Sequence, residues 1–173
     1  MYSDFNPYNQ NYGITEFNYR SADPVQSPIQ SNNPEIITLN QAIGLIRKSI
    51  GNEREDEIFY ETLIRQASTE KEKNIIRSIR DDERRHNQIL RRLYYEFTGQ
   101  MAPPDQVMEE ANNNNDYKAN LEKALFGELE AVVKYRKILG TMPSGDSYTL
   151  IMSIMTDELR HANKYNFLIH NAK

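Results

Sequence analysis

The chain has 173 residues, a formal net charge of −4 at pH 7, 38% hydrophobic and 27% charged residues. That is enough for one domain with a substantial core, and the acidic balance leaves no basic patch for nucleic acid. It has no cysteine, which removes disulfides, Cys-ligated iron–sulfur clusters and Cys-based zinc sites, and no apolar run approaches the roughly 20 residues that span a membrane.

Residues 1–37 differ from the rest. They are rich in Asn, Gln, Ser and Pro, with Tyr2, Phe5, Tyr8, Tyr12, Phe17 and Tyr19 spaced along them. Pro7, Pro24, Pro28 and Pro34 break any helix, and no apolar period is sustained. The stretch reads as a flexible arm. Its spaced aromatics keep open a docking role on a neighbouring subunit or another protein. No basic segment followed by an apolar stretch marks a signal peptide. The expected location is the cytoplasm, with a coat or shell-associated compartment as the alternative.

Helix A is expected from Thr38, because Thr38-Leu39-Asn40-Gln41 fits a capping box. Its apolar stripe runs Ile43, Ile46, Ile50, Tyr60, Ile64 and Ala67, with Glu53 on the same face where Leu or Ile would be expected. Helix B follows a very short turn, opened by a second capping box, Thr69-Glu70-Lys71-Glu72. Its stripe is Ile75/Ile76, Ile79, Glu83, His86, Leu90, Leu93 and Phe97, and Gly99 is its natural stop. Two long helices joined so closely are antiparallel neighbours.

Residues 100–115 form a connection that carries Pro103-Pro104 and Asn112 to Asn115. Its sixteen residues reach about 53 Å at roughly 3.3 Å each, enough to run the length of a helix of about 42 Å. Helix C, expected from Asp116 to Met142, then lies parallel to helix B. Its stripe is Leu121, Leu125, Glu128, Val132, Tyr135 and Leu139. Pro143-Ser144-Gly145-Asp146 makes the turn. Helix D runs to Asn171 with Ile151, Ile154, Glu158, His161, Tyr165 and Leu168 on one face. The predicted fold is all-α: residues 38–173 form a four-helix bundle of two αα-hairpins joined by a long crossover, as in ferritin-like bundles.

The hairpins repeat. A shift of 75 residues carries Ile76, Ile79, Asp82, Glu83, Arg85, His86 and Leu93 onto Ile151, Ile154, Asp157, Glu158, Arg160, His161 and Leu168. It also carries Glu53 onto Glu128 and Tyr60 onto Tyr135. A pseudo-twofold arrangement of two such hairpins makes the two Glu-x-x-His motifs face each other.

A Glu and a His three apart share a helix face and can hold one ion together. A lone Glu-x-x-His is most often a surface or ion-pair motif. Here two of the three histidines carry Glu at both −3 and −33, and the pattern points to two metal ions. The candidate ligands are Glu53, Glu83, His86, Glu128, Glu158 and His161. Four buried carboxylates without a partner would take up protons, whereas two divalent ions neutralise them. Mixed oxygen and nitrogen ligation with open positions suits iron, with manganese as the alternative.

Tyr60 and Tyr135 lie two turns after their Glu and are candidates to hydrogen-bond a ligand carboxylate; ordinary packing explains them equally well. Asp82 and Asp157 lie four before the histidines. They are candidates to orient an imidazole, against a solvated helix face. Asp56 and Glu57 read as exposed ion-pair residues, and His170 as a helix-end residue.

At these residues the chain resembles the rubrerythrin branch of the ferritin-like superfamily, over about residues 38–171. The pattern is Gly127-Glu128 with Tyr135 at +7, paired with Glu-x-x-His in the next helix. The resemblance implies a non-haem di-iron centre on the six residues named above, reacting with hydrogen peroxide or dioxygen as a peroxidase or ferroxidase. Two departures stand out. Rubrerythrins typically add a Cys-ligated iron domain as an electron relay, so electrons here must come from an external donor. Many also carry a Glu three after the helix C ligand, where this chain has Ala131. A homo-oligomer, dimer or larger, is expected. The competing readings are iron oxidation for storage or delivery within a larger assembly, a metal-braced coat protein, and manganese catalase-like dismutation.

Overall fold

The computed structural model describes residues 36–50, 53–104 and 116–172, with the side chains of 53–57 outside that description. The arm expected over residues 1–37 therefore lies outside the described residues, apart from its last two. The described residues form five helices and no strand: α1 (Leu39–Ile50), α2 (Glu53–Gln66), α3 (Glu70–Thr98), α4 (Tyr117–Leu139) and α5 (Asp146–Asn171).

The helix starts follow from their caps. Gln41 N donates to Thr38 Oγ1 at 3.3 Å while Gln41 Oε1 accepts from Thr38 N at 2.8 Å, closing the capping box before α1. The same reciprocal pair links Thr69 and Glu72 before α3, and Glu72 also accepts from Ser68 N. That use explains why this Glu is buried. At α4, Ala119 N donates to Asp116 Oδ1. Gly99 ends α3 in the left-handed region at φ 67°, its N–H bonded to Tyr95 O.

Helix A is described as two segments, α1 and α2, with residues 51–52 outside the described residues. One boundary differs from the expected one. Helix C stops at Leu139 rather than Met142. Residues 141 and 142 instead close tight turns onto Ile138 O and Leu139 O, because Pro143 disfavours helical backbone at the residue before it.

Around the bundle, α1 and α2 pack on α3 and α4, α3 packs on α5, and α5 packs most extensively on α4. Cross-links fix the directions. Arg85 reaches Asp157 and Lys164 reaches Ser78, so α3 and α5 run antiparallel. Asn120 of α4 donates to Gln66 of α2, and Ile138 packs with Ile46 at the other end, so α4 opposes α1 and α2. Helix α4 is therefore parallel to α3, as a long crossover requires. No helix among the described residues is long and apolar enough to cross a membrane.

The apolar core comes in two clusters. One joins Ala42, Ile46, Ile50, Leu90, Leu93, Tyr94, Tyr135, Ile138, Ile151 and Ile154. The other joins Tyr60, Leu63, Ile64, Ile76, Ile79, Leu121, Tyr165 and Leu168. On α3, α4 and α5 the acidic and histidine residues fall in chain order between the two, so a polar layer separates two apolar plugs. Each plug excludes water from one side of that layer.

Candidate metal centre

The repeat brings its two Glu-x-x-His motifs together. Both occupy the middle of their helices, one on α3 and one on α5. The His86 and His161 rings stack with centroids 5.8 Å apart. His161 Nδ1 lies 3.0 Å from Glu83 Oε1, 3.5 Å from Glu158 Oε2 and 3.6 Å from Glu128 Oε2. His86 Nδ1 lies 3.5 Å from Glu83 Oε2 and 3.6 Å from Glu158 Oε1. One ligand atom from each of Glu83, Glu128, Glu158 and His161 falls within 4.8 Å of the others. Glu53, the first residue of α2, has its side chain outside the described residues, as do Asp56 and Glu57.

The donor set fits a metal on an observation independent of spacing. Glu83 Oε1, His86 Nδ1 and His161 Nδ1 are buried and find no hydrogen-bond partner among the described residues. The 3.0 Å approach of His161 Nδ1 to Glu83 Oε1 is close in distance but too poorly aligned to be a hydrogen bond. Leaving such atoms unmatched costs about 1–3 kcal/mol each. Glu83 Oε1 and His161 Nδ1 belong to the cluster that could share a cation, and His86 Nδ1 borders it at 3.5 Å from Glu83 and 3.6 Å from Glu158.

The outer nitrogens are held across the molecule. His86 Nε2 lies 3.1 Å from Asp157 Oδ2, and His161 Nε2 lies 3.0 Å from Asp82 Oδ2. Each Asp thus serves the histidine of the opposite hairpin, not the one four residues along its own helix. Arginines complete the lattice: Arg85 bonds Asp157 at 2.9 Å and Arg160 bonds Asp82 at 2.7 Å. Because a carboxylate only accepts, it holds the proton on Nε2 and turns Nδ1 inward toward the cluster.

Electrostatics record the crowding. Burial pushes the Glu158 carboxyl up to about 9, helped by the charges of Glu83 and Glu128 and opposed by His161. Burial would also raise Glu83, but the imidazoles of His161 and His86 outweigh it and bring it down to about 2. Burial opposes charge on His161, yet Glu128, Glu158 and Glu83 lift it to about 12. His86 shifts upward because Glu83, Glu158 and Asp157 overcome its burial. Burial works against the Asp82 carboxylate, and His161 with Arg160 still holds it near 2. Both upward shifts, on Glu158 and His161, favour a bound proton where negative charge crowds.

A cavity of about 660 Å³ reaches this cluster from the α2, α3 and α4 side. Glu83, His86, Glu128 and Glu158 line it, as do both Tyr60 and Tyr135. Each tyrosine is buried and belongs to a different apolar plug, so their rings bracket the polar layer. Ala131 lines the same cavity. His170 is exposed on the last turn of α5, apart from the cluster. The cross-pairing of Asp82 and Asp157 was not visible in the sequence, because an i, i+4 spacing points to the wrong histidine. The exchange of Asp, Glu, Arg and His at identical offsets in both halves was the available signal.

A family model, rubrerythrin, matches residues 44–166, which includes every candidate ligand. Among solved structures, a hypothetical protein from Pyrococcus furiosus is similar with a TM-score of 0.63. Its sequence identity is 19% over 78% of this chain and 94% of that one, a likeness of fold alone. A search of the curated proteins finds no match.

Proposed function

This chain belongs to the rubrerythrin family, and from that premise we propose that it is a non-haem di-iron carboxylate oxidoreductase acting on hydrogen peroxide or dioxygen. The observation that carries this reading is the cluster of Glu83, Glu128, Glu158 and His161, in and beside which three buried atoms, Glu83 Oε1, His161 Nδ1 and His86 Nδ1, have no hydrogen-bond partner among the described residues. Glu83, Glu128, Glu158 and His161 would hold the ions, with His86, which faces Glu83 and Glu158, and with Glu53 by its place in the repeat. Two ferrous ions held there would supply the electron pair that breaks an O–O bond.

The chain's own residues do the rest. Asp82 and Asp157 keep each imidazole in one tautomer and one orientation. The apolar plugs on either side of the layer exclude water. Tyr60 and Tyr135 place phenols along the cavity through which a small oxidant arrives. The chain has no cysteine to ligate a relay iron, so electrons come from an external donor.

Metal analysis of protein purified without chelator tests this. About two irons per chain are expected, with loss of both in a Glu83→Ala/Glu158→Ala variant. Consumption of peroxide or dioxygen with a reductant then follows from the loaded protein. Failure to take up Fe(II) or Mn(II) anaerobically would overturn the reading. Manganese with oxygen release from peroxide replaces it with dismutation, and continued Fe(II) oxidation into a mineral core replaces it with storage.

A further inference from the structure

The cavity that reaches the candidate ligands is larger than peroxide or dioxygen needs. Its volume of about 660 Å³ falls within the roughly 300–1,000 Å³ of pockets that hold small organic molecules, whereas one water takes about 30 Å³. Part of its wall is apolar and aromatic, from Leu45, Phe59, Tyr60, Leu90 and Tyr135. Five cations also line it: Lys48, Arg80, Arg84, Lys123 and Lys134. Among the described lining residues, Glu130 is the one acid outside the candidate ligands. In a chain with 25 acidic and 21 basic residues, composition does not account for that local excess.

Three of the cations are engaged. Arg80 pairs with Glu61 at 2.6 Å and Asp81 at 3.1 Å, Arg84 reaches Asp81 at 3.6 Å, and Lys134 lies 4.6 Å over the Tyr135 ring. Lys48 and Lys123 differ. Both are exposed, and neither forms an ion pair among the described residues; Lys123 lies 5.4 Å over the Phe59 ring. They are also mates in the repeat, since the shift of 75 carries Lys48 onto Lys123 as it carries Tyr60 onto Tyr135. The cavity thus takes one lysine and one tyrosine from each hairpin. Helix α4 leaves it room: Ala124, Gly127 and Ala131 line it, and a Cβ on Gly127 would meet nothing within 4 Å.

We infer that this cavity is a binding site for a small organic carboxylate, with its apolar body against Phe59, Tyr60 and Tyr135 and its charge at Lys48 and Lys123. Peroxide and dioxygen are uncharged, so a cationic lining offers them no recognition, whereas a carboxylate gains charge-assisted hydrogen bonds from two lysines. The acids at the inner end, Glu83, Glu128 and Glu158, set the orientation, because they repel the charged end and leave the apolar end facing inward. A ligand so held sits beside the metal layer, in the position of an organic co-substrate. This deepens the reading of the same site and rests on it for the chemistry at the inner end, but not for the binding.

Calorimetric titration of the full chain with octanoate tests this, on protein as purified and after chelation. Saturable binding is expected in both states. It weakens about fivefold or more in Lys48→Gln/Lys123→Gln and is unchanged in Lys118→Gln, a lysine outside the cavity lining. Octan-1-ol, which lacks the charge, and inorganic phosphate, which lacks the apolar body, bind more weakly than octanoate. Gly127→Phe, which places a ring in the open space, abolishes binding. No saturable binding at millimolar octanoate overturns the inference. So does equal binding of octanol or phosphate, or unchanged binding in the lysine variant or in a folded Gly127→Phe. Circular dichroism checks the fold of Gly127→Phe; if it is lost, the lysine variant, altered only at exposed positions, decides. The two readings of the site fail separately. A chain that binds octanoate but takes up no metal loses the di-iron reading and keeps this one, and a chain that takes up iron but ignores octanoate does the reverse.

Discussion

Asp157 Oδ2 lies 3.1 Å from His86 Nε2 although the two residues belong to different hairpins. The relation is mirrored by Asp82 and His161 at 3.0 Å. Each half of the molecule therefore sets the geometry of the other half's imidazole, and neither hairpin can complete its own site.

Removing one of these carboxylates should weaken metal binding without removing a ligand. Asp157→Ala frees the His86 ring to rotate and to take the wrong tautomer. A loss of about 10–100-fold in metal affinity is expected, the usual cost of deleting such a partner. Competition against a chelating dye measures it, and Asp82→Ala should match it through His161. An unchanged affinity in both variants would sink the cross-hairpin role.

The metal-free protein should lose stability as pH rises above neutral. Glu158 is raised from 4.5 to about 9 by burial beside Glu83 and Glu128. Its contribution is complete below about 4.5 and disappears as pH climbs through about 9. His161, raised from 6.5 to about 12 against its burial by Glu128, Glu158 and Glu83, acts in the same direction up to a higher pH. Glu83, lowered to about 2, matters only in acid. Thermal melts of chelated protein between about pH 7 and 10 should fall, and Glu158→Gln, which cannot ionise, should flatten the slope.

Metal uptake should release protons. The groups that carry them near neutrality are Glu158 and His161, and an ion takes their place at the same atoms. Affinity therefore rises with pH, opposite in sign to the stability of the empty protein. A weakly buffered titration with a pH indicator reads the release directly. Binding with no acidification would show that these two groups are not displaced.

Two substitutions separate the layers of the fold. Leu121→Ala, in a fully buried position of the plug that also holds Tyr165 and Leu168, should cost about 2–5 kcal/mol. Thr69→Ala removes the side chain that accepts from Glu72 N and should cost about 1 kcal/mol. Urea unfolding of metal-free protein gives both. A Leu121 effect no larger than the Thr69 effect would mean that this plug is not tightly packed.

Much of this molecule can be read from its residues. Thr38 with Gln41 and Thr69 with Glu72 announce their helices because capping is local chemistry, settled within four residues. Glu83, His86, Glu128, Glu158 and His161 announce a shared layer because helical periodicity is rigid enough to carry a face along a chain. What escaped was tertiary. Nothing in the spacing of Asp82 and Asp157 says that each bonds the histidine 79 or 71 residues away rather than the one four residues along its own helix. The stop at Leu139 reflects two poor helix formers, Gly140 and Thr141, followed by the backbone restriction that Pro143 puts on Met142.

The polar layer between the two apolar plugs gives the bundle an unusual mechanical character. Isolated helices loosen first at their ends and hold longest in the middle. Here the ends are gripped by hydrocarbon, and the midspan is where like charges crowd and buried atoms lack partners. The structure is a beam pinned at both ends by hydrocarbon and tied at its centre by polar bonds that cross between the hairpins. An ion bound there would stiffen the span at the level where the apolar plugs do not reach, so rigidity and chemical competence would reach the molecule in the same event.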